Sequence, residues 1–154
     1  MRLSNIIKEK AIILNLEAGN KQEALEKMIS FLKKNQLINH DKEILQKLLQ
    51  RESLGSTALG EGVAVPHCKV KGIKNPILLL AIAPNGINYE TPDGQPVKVF
   101  FLLITSPEDP SLNLQILALI AQLVRKSPEL KGKILEAQNP DEVLEIIREQ
   151  EEKI

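Results

Sequence analysis

The longest apolar stretches of the chain are ILLLAIA at residues 77–83 and VKVFFLLIT at 97–105. Both are almost continuously apolar, the pattern of strands covered on both faces. The segment between them, APNGINYETPDGQP, is dense in turn formers, and Pro92-Asp93-Gly94 marks a tight turn. The two strands are therefore expected to be antiparallel neighbours. KAIILNLEA (10–18) reads as a further strand and VAV (63–65) as a short one.

Helical spacing appears elsewhere. NKQEALEKMISFLKKN carries Leu25, Ile29 and Leu32 on one stripe, with Asn20 as N-cap and Glu23 three residues on in a capping-box-like pair. A second helix is expected from about Asp41, through Ile44, Leu45, Leu48 and Leu49, to Arg51 or Glu52. A third opens near Asp109 or Ser111 and runs through LNLQILALIAQLVRK; it is apolar over most of its circumference and is expected to be largely buried. Ser127-Pro128 and Asn139-Pro140 each read as a helix start, with a polar cap and proline at the first helical position. The order of elements predicts one α/β domain over residues 1–154, a mixed sheet with helices on both sides.

Composition narrows the function. Apolar residues make up 43% of the 154, enough for a real core. Aromatics are only 3%, and Lys plus Arg balance Asp plus Glu at 20 each, which argues against nucleic acid as a partner. The single cysteine excludes an internal disulfide and fits a reducing compartment. No apolar run reaches the length of a signal peptide or a membrane span, so a cytoplasmic location without direct membrane insertion is expected.

The densest chemistry lies in RESLGSTALGEGVAVPHCKV, residues 51–70. A metal site is disfavoured, because His67 and Cys68 are adjacent, His40 is far upstream, and a structural zinc needs four such ligands. Adjacent side chains of extended backbone point apart, so a Cys-His dyad fails too. Cys68 reads as a small, partly buried filler. GSTALGEG is spaced like a phosphate-binding loop, but Glu61 stands where its lysine belongs, and no nucleotide or other cofactor is expected. A different chemistry fits better. Gly55, Gly60 and Gly62 can turn backbone N–H groups toward an anion, Ser56 and Thr57 add hydroxyls, and Arg51 adds a planar cationic fork. An imidazole among such donors, stiffened by Pro66, can carry a phosphoryl group. Taken singly, Arg51-Glu52 reads as an exposed helix end and Ser56-Thr57 as a turn cap; their joint occurrence points to a site.

RESLGSTALGEGVAVPH resembles the signature of type-2 enzyme IIA domains of the bacterial phosphotransferase system, approximately R-E-x-x-G-S-T-G-I-G-x-G-I-A-I-P-H. That group includes fructose and mannitol IIA domains and nitrogen-regulatory IIA proteins. Arg51, Glu52, Gly55, Ser56, Thr57, Gly60, Gly62, Ala64, Pro66 and His67 match, while Ala58 replaces a usual glycine. The likeness extends to the upstream helix pair, the GINY…DG-x-PV segment, FFLLITSPED and the long apolar helix. It implies a mixed five-stranded sheet flanked by helices, with His67 as phosphoryl acceptor from phospho-HPr or a nitrogen-branch HPr paralogue. It also implies that Arg51 stabilises the phosphoryl group and that Thr57, helped by Ser56, orients the site. The family usually carries a second histidine at the start of the long helix; here Asn113 stands in its place, on one stripe with Leu117, Ile120 and Val124. Asn113 donates a hydrogen bond but supplies no positive charge, so a working but altered site is expected. No IIB or IIC domain lies within these residues, and the length fits a nitrogen-type regulator better than a sugar-specific IIA that serves a separate IIB. A binding module that no longer transfers phosphate is the rival from another class; Asn113 favours it, and intact Arg51, Thr57, Pro66 and His67 weigh against it. A metal-dependent hydrolase is disfavoured by the shortage of ligands.

Overall fold

The computed structural model describes residues 1–154. The expected pair of central strands is present: β5 (Ile77–Ile87) and β6 (Val97–Thr105) run antiparallel, with Leu80 opposite Phe101. Their side chains alternate between two layers, as strand geometry dictates. Leu79, Ala81, Phe100, Leu102 and Ile104 enter one core, under α2 (Lys21–Lys34) and α3 (Asp41–Ser53). Leu78, Leu80, Val99, Phe101 and Leu103 enter the other. That second core is covered by α1 (Leu3–Ile6), α4 (Pro110–Lys126), α5 (Leu130–Glu136) and α6 (Pro140–Lys153). Burial on both faces is why these strands read as unbroken apolar runs.

The open mixed sheet has six strands rather than five, in the order β1-β5-β6-β3-β2, with β4 also pairing β6. The two that the hydrophobic pattern does not announce are β2 (Ala58–Gly60) and β4 (His67–Lys69), each flanking the short β3 (Val63–Ala64) in sequence. Neither β2 nor β4 has a local pattern of its own; each exists through pairing. The strand expected at 10–18 shrinks to β1 (Ile12–Ile13), parallel to β5, after a 3-10 turn at Glu9–Ala11. The chain still follows the sheet edge there, for Leu16 N–H donates to the Ile82 carbonyl.

Two caps hold as expected: Asn20 accepts from Glu23 N–H, and Asn139 accepts from Glu142 N–H. Two helical expectations need correction. Helix α4 buries only the face carrying Asn113, Ile116, Ile120 and Leu123, and Leu114 is 66% exposed, because a helix lying on a sheet hides one stripe however apolar its remainder. Ser127 does not cap α5, which begins three residues later at Leu130. Its hydroxyl donates instead to buried Gln150 on α6, a tertiary partner that local sequence does not reveal.

Candidate functional site

Strands β3 and β4 lie end to end along the same edge of β6: Val63 and Ala64 face Val99 and Phe100, and His67 to Lys69 face Leu103 to Thr105. Pro66 sits at the break. It has no N–H for the ladder, but its carbonyl accepts from Leu103 N–H. The register then decides where the next side chains go. His67 is paired with Leu103 and so shares the α4 face of the sheet; Cys68 is paired with Ile104 and enters the opposite core. Burial pushes the Cys68 thiol up to about 12. The two neighbours are thus divided between layers, as the adjacent-residue argument anticipates.

The His67 ring is half-buried, and its Nδ1 lies 2.8 Å from the Val65 carbonyl oxygen. A carbonyl only accepts, so Nδ1 carries the proton and the lone pair resides on Nε2. Val65 is held in turn, its N–H donating to the Thr57 carbonyl.

Thr57 belongs to the loop that leaves α3. Arg51 Nη1 donates to the Gly55 carbonyl at 2.9 Å, closing the turn and leaving the other guanidinium N–H groups available. Glu52 points inward and is only 7% exposed. Its carboxylate accepts from both the backbone N–H, at 3.0 Å, and the hydroxyl of Thr57. Lys21 of α2 places its ammonium 3.3 Å from Glu52 and 4.8 Å above the Tyr89 ring. Ser56 donates its hydroxyl to the Tyr89 carbonyl and accepts from Ala58 N–H. The Tyr89 hydroxyl lies against Thr57 and Glu52, fully buried, yet hydrogen-bonds to neither; burial beside the Glu52 carboxylate pushes its pKa well up.

Asn113 stands in the first turn of α4, 4% exposed, and its Oδ1 accepts from the Thr105 hydroxyl at 2.9 Å. Thr105 is two residues beyond Leu103 on β6 and therefore on the same face, so Asn113 and His67 lie on one side of the sheet. No hydrogen bond joins them: the ring's bond is to Val65, and the Asn113 side chain bonds Thr105.

The structure separates one group that the sequence places together. Gly60 and Gly62 are not at His67. With Glu61 they form the β2–β3 hairpin tip, all three at positive φ, and β3 begins four residues before His67, about 13 Å away along the strand. The tip is held by Asp93, whose carboxylate accepts Glu61 N–H, and by Lys131, which donates to the Glu61 carbonyl. A cavity of about 470 Å³ opens there, floored by Val99, Phe101 and Ile134. No three His, Cys, Asp or Glu side chains converge in a way that could hold a metal ion, and no helix is long and apolar enough to cross a membrane.

Sequence reasoning passed over Glu52 as an exposed helix end. The signal was present: Ile44, Leu48 and Glu52 recur every four residues on the buried stripe of α3. Lys21, Tyr89 and Thr105 carry no such local signal and join the site only through the fold.

This arrangement has known counterparts. The family model described as "Phosphoenolpyruvate-dependent sugar phosphotransferase system, EIIA 2" matches residues 5–150. The chain is 29% identical, over 149 residues, to the fructose-specific EIIABC component of Bacillus subtilis, covering 97% of this chain but only 23% of that longer protein. It is 35% identical to the nitrogen regulatory protein of Bradyrhizobium diazoefficiens over 126 residues, 81% of each chain. The crystal structure of the nitrogen regulatory protein IIA-Ntr from Neisseria meningitidis superposes with a TM-score of 0.84 at 26% identity, covering 94% of this chain and 98% of that one. With the family match extending over nearly the whole chain and the fold shared as well, the protein belongs to the type-2 EIIA family of the phosphotransferase system.

Proposed function

We propose that this chain is a cytoplasmic phosphocarrier, one EIIA domain over residues 1–154, that accepts a phosphoryl group on His67 Nε2. The donor is phospho-HPr or its nitrogen-branch paralogue, and the phosphorylation state serves a nitrogen-type regulatory role. The observation that carries this reading is the 2.8 Å contact of Nδ1 with the Val65 carbonyl. In the neutral ring it places the proton on Nδ1 and the attacking lone pair on Nε2. That lone pair attacks the phosphorus of the donor's phosphohistidine, the donor's N–P bond breaks, and its electron pair returns to the donor imidazole. As the new bond forms, positive charge develops on the His67 ring, and the Val65 carbonyl accepting from Nδ1–H stabilises it. The free N–H groups of Arg51 supply donors for the phosphoryl oxygens, and the first turn of α4 adds a favourable dipole beside Asn113. Metal, nucleotide and nucleic acid have no part in this scheme.

The test is phosphorylation by phosphoenolpyruvate, enzyme I and HPr, with intact mass read before and after acid treatment. An acid-labile adduct absent from His67→Ala is expected. No adduct with either donor would overturn the reading and leave a binding module.

A second reading is a sugar-specific IIA that passes the group to a separate IIB. The likeness over 97% of this chain to part of a fructose-specific EIIABC component favours it. Transfer from the phosphorylated chain to an isolated fructose-type IIB domain would establish it.

A further inference from the structure

We infer that Glu52, fixed by Lys21, is a positioning residue that sets the His67 tautomer through Thr57 and Val65. This rests on the reading of His67 as phosphoryl acceptor. The observation behind it is that every polar group of Thr57 is committed. Its N–H and its hydroxyl both donate to the Glu52 carboxylate, and its carbonyl accepts from Val65 N–H. A threonine has one hydroxyl proton. While Glu52 holds it, Thr57 does not donate to a phosphoryl group; its role is to hold Val65. Val65 has one N–H and one carbonyl, bonded to Thr57 and to His67 Nδ1 respectively. The result is a continuous line, an ion pair from Lys21 to Glu52 followed by hydrogen bonds from Glu52 through Thr57 and Val65 to His67, running from α2 and α3 to the sheet edge.

The far end of the line is rigid for a physical reason. Glu52 is nearly buried, and a buried carboxylate needs its partners. Lys21, with a side chain only 14% exposed, supplies the charge, and the two Thr57 donors supply the remaining bonds. Removing the carboxylate or the hydroxyl loosens Thr57, then the Val65 carbonyl, and the imidazole becomes free to place its proton on either nitrogen. Only the Nδ1–H form presents an attacking lone pair at Nε2.

The experiment compares the full-length protein with Glu52→Gln, Thr57→Val and Thr57→Ser. Nitrogen-proton correlation spectra of the His67 ring are recorded without phosphorylation, and the initial rate of phosphorylation by phospho-HPr is measured separately. The wild type and Thr57→Ser are expected to show the Nδ1–H tautomer alone. Glu52→Gln and Thr57→Val are expected to show averaged ring shifts and a rate lower by about tenfold or more, since a catalytic histidine held in the wrong tautomer loses up to about 10⁴-fold in rate. Thermal melts identify folded variants, and Thr57→Val decides the matter if Glu52→Gln does not fold. Folded Glu52→Gln and Thr57→Val with the wild-type tautomer, or with unchanged rates, would overturn the inference. A wild type that accepts no phosphoryl group would instead overturn the acceptor reading, while the ring spectra would still decide whether Glu52 sets the tautomer.

Discussion

The Val65 carbonyl oxygen lies 2.8 Å from Nδ1 of His67, a residue only two places further along the chain. This contact spans Pro66, whose fixed backbone ends β3 and lets the ring fold back onto its own chain. It distinguishes the two ring nitrogens through a backbone carbonyl bonded directly to one of them. The phosphorylated protein is therefore expected to carry the group on Nε2 alone. Phosphorus–nitrogen couplings in labelled protein check this, and an Nδ1 adduct would contradict it.

Asn113 offers a neutral amide where the family pattern has a histidine. Its Oδ1 is taken by Thr105, so its NH₂ is the group left to face an anion. A charge-assisted hydrogen bond exceeds a neutral one by about 1–1.5 kcal/mol. Asn113→His is expected to raise the phosphorylation rate by roughly tenfold, the equivalent of that difference. Stopped-flow transfer from phospho-HPr measures it, and an unchanged rate would show that the charge has no role here.

Lys21 and Tyr89 flank the same buried carboxylate with opposite consequences. Removing Lys21 leaves the nearly buried Glu52 carboxylate without a cation, and loss of one partner from a buried pair costs about 3 kcal/mol. Lys21→Met is expected to lower stability by that amount in urea unfolding. The Tyr89 hydroxyl has no hydrogen bond to lose, so Tyr89→Phe is expected to be neutral or stabilising by up to about 1 kcal/mol. A large loss in Tyr89→Phe would reveal a partner for that hydroxyl.

Burial raises the Cys68 thiol from its ordinary value of 9.0 to about 12. The unfolded chain therefore loses this proton near pH 9 while the folded chain keeps it. Above that pH the folded state binds more protons, and the contribution to stability falls as pH rises toward 12. Native protein at pH 8 is expected to resist thiol alkylation and to react fully once unfolded. Rapid labelling of the native state would contradict the burial.

Gly62 sits at φ +81, and an added Cβ would come 3.2 Å from the Lys131 ammonium and 3.4 Å from the Pro96 carbonyl oxygen. Gly62→Ala is expected to destabilise by about 1–2 kcal/mol through backbone strain and the displaced lysine. Because this hairpin tip is at the far end of β3 from His67, phosphorylation of the folded variant should proceed at the wild-type rate.

Whatever is settled within one turn of helix or between apolar neighbours can be read along the chain. Asn20 and Asn139 cap the helices that their spacing announces, and residues 97–105 form a buried strand, because capping bonds and burial patterns depend on residues close in the chain. The RESLGST…PH signature was equally legible, and Glu52 stood on the Ile44–Leu48 stripe for the same local reason. The division of that signature, by contrast, comes from strand pairing. Strands β2 and β4 are too short to have a pattern and exist only by pairing with β3 and β6. Their pairing carries Gly60 and Gly62 to one end of β3 and leaves Thr57 and His67 at the other. It also brings Lys21, Tyr89 and Thr105 from distant parts of the chain. Hydrogen bonds between strands answer to register, and register is fixed by burying a sheet face against distant parts of the chain, because a slip of one residue would turn every side chain to the other face.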